Sequence, residues 1–252
     1  MILSAQEIEH FRHHGWVTTN LLDDLTAREI ARWVTDISEW PDEGPWLHYR
    51  EMTDFGPKIC RTENFTPYHA GMHQLLRLGR LVMAASDLLD EPAVLYKEKI
   101  NYKLVGGAGF SPHQDAPAYR FVDTHISCMI AVDPATVENG CLEVVSAMHT
   151  EVLPMDEAGC IRPDVAATFH WEPAELTAGQ VLWFHSRTPH RSGTNASSTD
   201  RRALFPTYNA LREGDLRDRY YEQKAAEFVA TRASGSNVRV SLIGDFQGRP
   251  VT

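Results

Sequence analysis

His113 and Asp115, two residues apart in Pro112-His113-Gln114-Asp115, put an imidazole and a carboxylate on the same side of an extended segment, with Gln114 turned away. One short segment can therefore offer two ligands to a single metal ion. A third comes from Trp183-Phe184-His185-Ser186-Arg187-Thr188-Pro189-His190-Arg191-Ser192-Gly193, where His185 and His190 compete for the role. His190 is the first choice, because the small Ser192 and Gly193 after it allow close backbone approach and Arg201 follows it in the same region. His185 is the second.

Two imidazoles and one carboxylate on one face of a metal make a facial triad, the ligand set of non-haem Fe(II) oxygenases, with positions left for O2 and a cosubstrate. Arg201 suits the distal carboxylate of 2-oxoglutarate, since a guanidinium fork meets a carboxylate through two parallel hydrogen bonds. Arg202 is then expected on the opposite face of the same strand.

These residues need a scaffold, and its outline is readable. The 252 residues suffice for one substantial core, so a single domain over 1–252 is expected. A formal net charge of −10 argues against a nucleic-acid or anionic-membrane binder. No apolar run reaches the roughly 18 residues of a membrane span, and charged residues follow Met1 to Ala5 at once. Cys60, Cys128, Cys141 and Cys160 have no C-x-x-C spacing and suit reduced, buried thiols. A cytoplasmic protein is expected, its oligomeric state open.

Ser4 and Glu7 form a capping-box pattern ahead of a helix with Ile8, Phe11 and Trp16 on its apolar face. Helical spacing recurs from about Thr26 to Trp40 and from His69 to Leu89, the latter interrupted by Gly79. The stretch from Asp42 to His69 reads as loops and short strands over one mouth of the fold. From Ala93, short strand-like runs follow: Val94 to Leu104, His125 to Val132, Leu142 to Val145, Trp171 to Glu175, Val181 to His185 and Arg202 to Tyr208. A helix over about Asp215 to Ala230 and an edge strand over Val238 to Leu242 complete the outline. Many short strands with irregular connections predict a mainly β jelly roll with flanking helices.

The sequence resembles the phytanoyl-CoA dioxygenase family of Fe(II)- and 2-oxoglutarate-dependent oxygenases. The likeness runs from the opening Glu7-Ile8-Glu9-His10-Phe11-Arg12 through Phe65-Thr66-Pro67-Tyr68-His69, Phe110 to Ala116 and Gly140-Cys141-Leu142 to His190-Arg191-Ser192-Gly193 and Pro206-Thr207-Tyr208-Asn209. It implies a double-stranded β-helix, cupin-like core, with His113, Asp115 and His190 as iron ligands and Arg201 on 2-oxoglutarate. It further implies polar residues for the cosubstrate's other carboxylate, here Asn101 and Ser127, with Lys97 or Lys99 as contributors. The implied reaction is hydroxylation of a C–H bond coupled to oxidation of 2-oxoglutarate to succinate and CO2. The carboxylate of Asp115 favours hydroxylation over halogenation, which would need that coordination position for a halide.

The run from Lys99 to Tyr119 is similar to bacterial members that hydroxylate 2-aminoethylphosphonate-like compounds at the carbon bonded to phosphorus. A zwitterionic phosphonate of this kind, N-methylated or not, would need cations for its anion, from Arg61, Lys99, Lys103 and Arg120. Its amino end would need an acid or an aromatic cage, from Glu63, Tyr49, Trp46, Tyr102 and Tyr119. Arg61-Thr62-Glu63-Asn64 is either a recognition segment or a salt-bridged structural one. Another compact metabolite or an acyl-CoA is the alternative substrate, and a catalytically silent ligand-binding jelly roll the alternative of another class.

Overall fold

In the computed structural model, residues 1–54, 56–119, 121–122, 124–234 and 239–251 are described. The chain opens with α1 (Ala5–His14), whose capping box is formed: the Ser4 hydroxyl accepts from Glu7 N while the Glu7 carboxylate accepts from Ser4 N. Trp16, expected on that helix, instead begins strand β1 (Trp16–Thr19), because Gly15 turns into the left-handed region and ends the helix first. Then comes α2 (Asp24–Ser38), capped by Asp23.

The stretch expected as loops and short strands forms a full hairpin, β2 (Leu47–Thr53) and β3 (Gly56–Glu63). The expected helix over 69–89 is broken. A short α3 (Ala70–His73) runs into a π turn over 74–78, and α4 (Arg80–Leu89) starts afresh after Gly79, whose backbone is extended. Strands β4 (Ala93–Lys103), β5 (Phe110–His113), β6 (His125–Ala131) and β7 (Leu142–Val144) follow, then the short α5 (Pro163–Ala166). The chain continues through β8 (Glu172–Ala174), β9 (Val181–His185), β10 (His190–Ser192) and β11 (Arg201–Ala210) to α6 (Arg217–Ala233) and β12 (Pro250–Val251).

The strands form two antiparallel sheets. The larger runs β1-β9-β6-β11-β4-β3-β2-β12 and the smaller β5-β10-β7-β8. This is the expected mainly β jelly roll with flanking helices. The expected edge strand at Val238 to Leu242 is not formed by residues 239–242, and Val238 lies outside the described residues. The edge position belongs to β12, which pairs with β2.

Period-two alternation gives the large sheet two distinct faces. Ile100 and Tyr102 of β4, Cys128 and Ile130 of β6, Trp183 of β9 and Leu204 of β11 join Ile8, Ile30, Val34 and Leu81 in a core under the helices. The alternate residues face the small sheet, where Met129, Leu182, Phe184, Ala203 and Phe205 pack against Leu142 and Val144. Lys97, Lys99, Asn101 and Lys103 belong to this second face, and the site opens there. No helix among the described residues is long and apolar enough to cross a membrane, and all four cysteines are buried and free.

Candidate active site

The two histidines are brought together by strand pairing. His113 ends β5 and His190 begins β10, and the two stand opposite each other in the antiparallel ladder, their ring centroids 4.1 Å apart. The ladder can close this tightly because Gly109 lacks a side chain: a Cβ there would run into the carbonyl oxygen of Ser192. The close approach therefore rests on Gly109 rather than on Gly193, around which there is open space.

Each ring is oriented by the carbonyl two residues before it, His113 Nδ1 on Ser111 O at 2.7 Å and His190 Nδ1 on Thr188 O at 3.0 Å. Both Nε2 atoms are thus left to face a metal. Asp115 lies just past the strand end, and its Oδ2 accepts from Ser127 Oγ at 2.9 Å. Ligand atoms of His113, Asp115 and His190 all lie within 4.8 Å of one another, and all three residues are buried. Burial and the neighbouring His113 pull the His190 pKa down to about 4, so its imidazole is neutral, as a metal ligand must be. Burial pushes the Asp115 carboxyl up, yet His190, Lys97, Lys99 and His113 outweigh it and hold the group ionised. His185 is elsewhere: its Nδ1 accepts from Arg187 N and its ring lies beside His149.

Arg201, at the start of β11, is 3% exposed and lines the same cavity. Its Nη2 donates to Gly140 O at 2.8 Å, while Nε and Nη1 are buried without a partner. Two orphaned donors on one guanidinium are what a carboxylate would satisfy. Arg202 turns to the other face and pairs with Asp133. Asn101, Ser127 and Thr207 line the cavity between Arg201 and the triad. The donor set fits Fe(II), and a buried guanidinium with unpartnered nitrogens fits a carboxylate of 2-oxoglutarate.

Beside the triad lies a strongly charged chamber bounded by Arg61, Glu63, Lys97, Lys99, Asp115 and Asp245. Arg61, 2% exposed, donates from Nε to Asn101 Oδ1 and from Nη1 to Val240 O, and its Nη2 has no partner. Lys99 stands over the Phe205 ring. Burial, and then Arg61, pull its pKa down to about 8. Glu63 is held by Lys224 at 2.8 Å and by Arg61 at 3.6 Å.

Several expected residues are placed differently. Lys97, expected near the cosubstrate, belongs to the charged chamber, where its Nζ meets the Tyr119 hydroxyl. Lys103, expected on the substrate, sits beside Arg201 and spends its N–H groups on Gly140 O, Ser192 Oγ and Gly193 O. Tyr102 borders the cavity along β4, but its side chain, at an even position of the strand, packs in the helix-side core. Asn64 is a turn residue at φ +60°, bonded to Pro45 O and Arg217. Trp46 bonds Pro41 O and packs on Trp40 at the surface. Tyr49 lines an outer groove with Tyr96 and Tyr220, and Tyr119 lines the chamber itself. Arg120 lies outside the described residues.

Two site residues carried no signal in the sequence. Asp245 comes from the C-terminal segment, with Oδ2 3.3 Å from His113 Nε2. His125, fully buried against Tyr119, has no hydrogen-bond partner at either ring nitrogen, and burial lowers its pKa to about 3. No spacing rule links either of them to the H-x-D segment.

Residues 61–203 match the family model described as phytanoyl-CoA dioxygenase (PhyH). The chain belongs to the phytanoyl-CoA dioxygenase family. Within it, the chain is 42% identical to the methylphosphonate hydroxylase of Gimesia maris, over 98% of this chain and 97% of that protein. It is 39% identical to the 2-aminoethylphosphonate dioxygenase of an uncultured bacterium, over 89% of this chain and 88% of that protein. In fold it is similar to EctD from S. alaskensis, crystallised with 2-oxoglutarate and 5-hydroxyectoine, with a TM-score of 0.74 and 19% identity over 84% of this chain and 78% of that one. This phytanoyl-CoA dioxygenase family member is an iron- and 2-oxoglutarate-dependent oxygenase.

Proposed function

We propose that the enzyme hydroxylates a small organophosphonate, 2-aminoethylphosphonate or an N-methylated form of it, at the carbon bonded to phosphorus. The observation that carries this reading is the pair Arg61 and Lys99, a buried and a half-buried cation beside the triad, with the Arg61 Nη2 still unpartnered. A buried charge or donor left unpaired is costly, so a chamber built this way fits an anion. The relatives named for methylphosphonate and 2-aminoethylphosphonate supply the class of anion.

His113, Asp115 and His190 would hold Fe(II), and Arg201 would take the distal carboxylate of 2-oxoglutarate. Asn101 and Ser127 would lie along the cosubstrate, Ser127 also fixing Asp115 through its hydroxyl. Held there, iron and 2-oxoglutarate would supply the activation of O2, with one oxygen atom ending in succinate as CO2 leaves and the other in the C–OH of the product. The protein's share is placement. Arg61 and Lys99 anchor the phosphonate so that its adjacent carbon faces the triad, and the recessed cavity limits access of water. Reduced, buried thiols suit the cytoplasm, which we propose as the compartment.

Anaerobic addition of Fe(II) and 2-oxoglutarate should produce a metal-to-ligand charge-transfer band, and its absence would contradict the site assignment. Succinate formation should then be stimulated by aminoalkylphosphonates in a screen that includes their N-methylated forms, methylphosphonate and acyl-CoAs. Stimulation by thioesters alone overturns the proposal. His190→Ala should abolish turnover, whereas His185→Ala should retain it.

A further inference from the structure

Of the acidic groups in the charged chamber, two are already committed. Asp115 belongs to the triad, and Glu63 is neutralised by Lys224 and Arg61. Asp245 differs. It is 3% exposed, its Oδ1 is buried without a partner, and among the described residues its only ion pair is to His113 Nε2, the atom that the Ser111 carbonyl orients toward the metal position. A metal bound to that nitrogen would leave both carboxylate oxygens of Asp245 without an N–H group. Asp245 is not part of the mutually close ligand set of His113, Asp115 and His190, so it stands beside the metal position and faces the chamber.

A buried carboxylate with no donor is as unfavourable as a buried cation with no anion. Around the open space, among the described residues, the groups with binding capacity left are therefore the Nη2 of Arg61 and the ammonium of Lys99 on one side and the carboxylate of Asp245 on the other. That arrangement is the complement of a phosphonate dianion carrying one ammonium group.

We propose that Asp245 is a specificity-determining residue that accepts the substrate's ammonium group, selecting aminoalkylphosphonates over alkylphosphonates of the same length. This rests on the phosphonate reading above and narrows it, since methylphosphonate has no group for Asp245 to hold. The backbone supports the role independently of the side chain. Asp245 O accepts from Ser111 N at 2.7 Å, and the next residue, Phe246, bridges to Phe110 of β5, fixing the carboxylate beside the triad strand. Substitution of the carboxylate leaves both of those ties in place.

The test compares 2-aminoethylphosphonate with ethylphosphonate, which lacks only the amino group, on wild type, Asp245→Asn and Asp245→Glu. Dissociation constants are read without oxygen, from the change that each compound makes to the absorption of the Fe(II) and 2-oxoglutarate complex, alongside KM and kcat in air. Asp245→Asn should weaken binding of 2-aminoethylphosphonate by about tenfold or more, the usual scale for one charged hydrogen-bonding partner. Ethylphosphonate binding should be unchanged or tighter, and Asp245→Glu should keep a preference for the amine.

Equal weakening of both compounds overturns the proposal, as does loss of the charge-transfer band in Asp245→Asn, which would make the carboxylate part of metal binding. Wild type alone is decisive if Asp245→Asn does not fold: turnover of both phosphonates with no preference for the amine removes the role of Asp245 and leaves the phosphonate reading intact. Turnover of neither removes both.

Discussion

Two cations lining the cavity, the buried Arg201 and the half-buried Lys99, define what the site can bind, and their chemistry differs. Arg201 meets the Gly140 carbonyl through Nη2 and leaves Nε and Nη1 unpartnered, so replacing it with Ala should remove charge-assisted hydrogen bonds to the cosubstrate of about 1.5–3 kcal/mol each. The KM for 2-oxoglutarate should rise at least about tenfold, with Arg201→Lys recovering little because an ammonium cannot supply the parallel fork. Lys99 instead titrates. With its pKa lowered to about 8 by burial and then by Arg61, it carries its charge below that pH and loses it above. The kcat/KM for the phosphonate, which reports the free enzyme, should therefore fall as pH rises through about 8. Lys99→Arg, which stays charged, should flatten that alkaline limb, and a profile unchanged by the substitution would remove Lys99 from anion binding. At this scale the triad and the placement of Arg201 in its cavity were readable, because H-x-D, a downstream histidine and a strand-borne arginine carry their chemistry in residue type and order. Asp245 was not, since one aspartate in an aperiodic segment gains meaning only from what it is folded against.

Strand β4 is the element on which both faces of the molecule depend. Its odd positions Lys97 to Lys103 face the cavity, while Glu98 on the reverse face is fully buried and accepts from Arg217 Nε and Nη2 of α6 and from Thr66 N. Tyr221 of α6 closes the same joint, donating to Glu98 O and accepting from Glu98 N. Arg217→Met should destabilise the fold by about 3–5 kcal/mol, because it strands a buried carboxylate. The double variant Glu98→Met with Arg217→Met should cost less than Arg217→Met alone, as urea unfolding midpoints would reveal. Alternation made β4, β6, β9 and β11 legible as strands, and α6 was legible as a helix. The hairpin β2-β3 was obscured by its Pro, Gly and charged residues, and β1 by its brevity and its position directly after α1. The break after the π turn was signalled by Gly79, whose cost within a helix was visible even though the extended backbone there was not.

For the whole molecule, the question is how a cavity between two sheets becomes closed. Helices α1, α2 and α4 cover the outer face of the large sheet, so they cannot do it. Closure falls to α6 and to the segment 239–251, which crosses from Val240 at Arg61, past Asp245 at His113, to β12 on the edge of β2. Phe246 pins that segment, its ring 5.2 Å from Phe110 and its backbone bridged to the same residue. This long-range closure is invisible to local patterning, which is why the edge strand was expected over 238–242 rather than at Pro250–Val251. Phe246 is only half-buried and lies outside the two main cores, so Phe246→Ala should lower the melting temperature little. Its effect should appear in coupling: a loosened segment admits water and lets the substrate sit imprecisely, so 2-oxoglutarate is consumed without hydroxylation. Succinate and hydroxylated product, close to equal in wild type, should then diverge, with succinate in excess. A ratio that stays at unity in a folded Phe246→Ala protein would mean that α6 and the sheets close the chamber without the C-terminal segment.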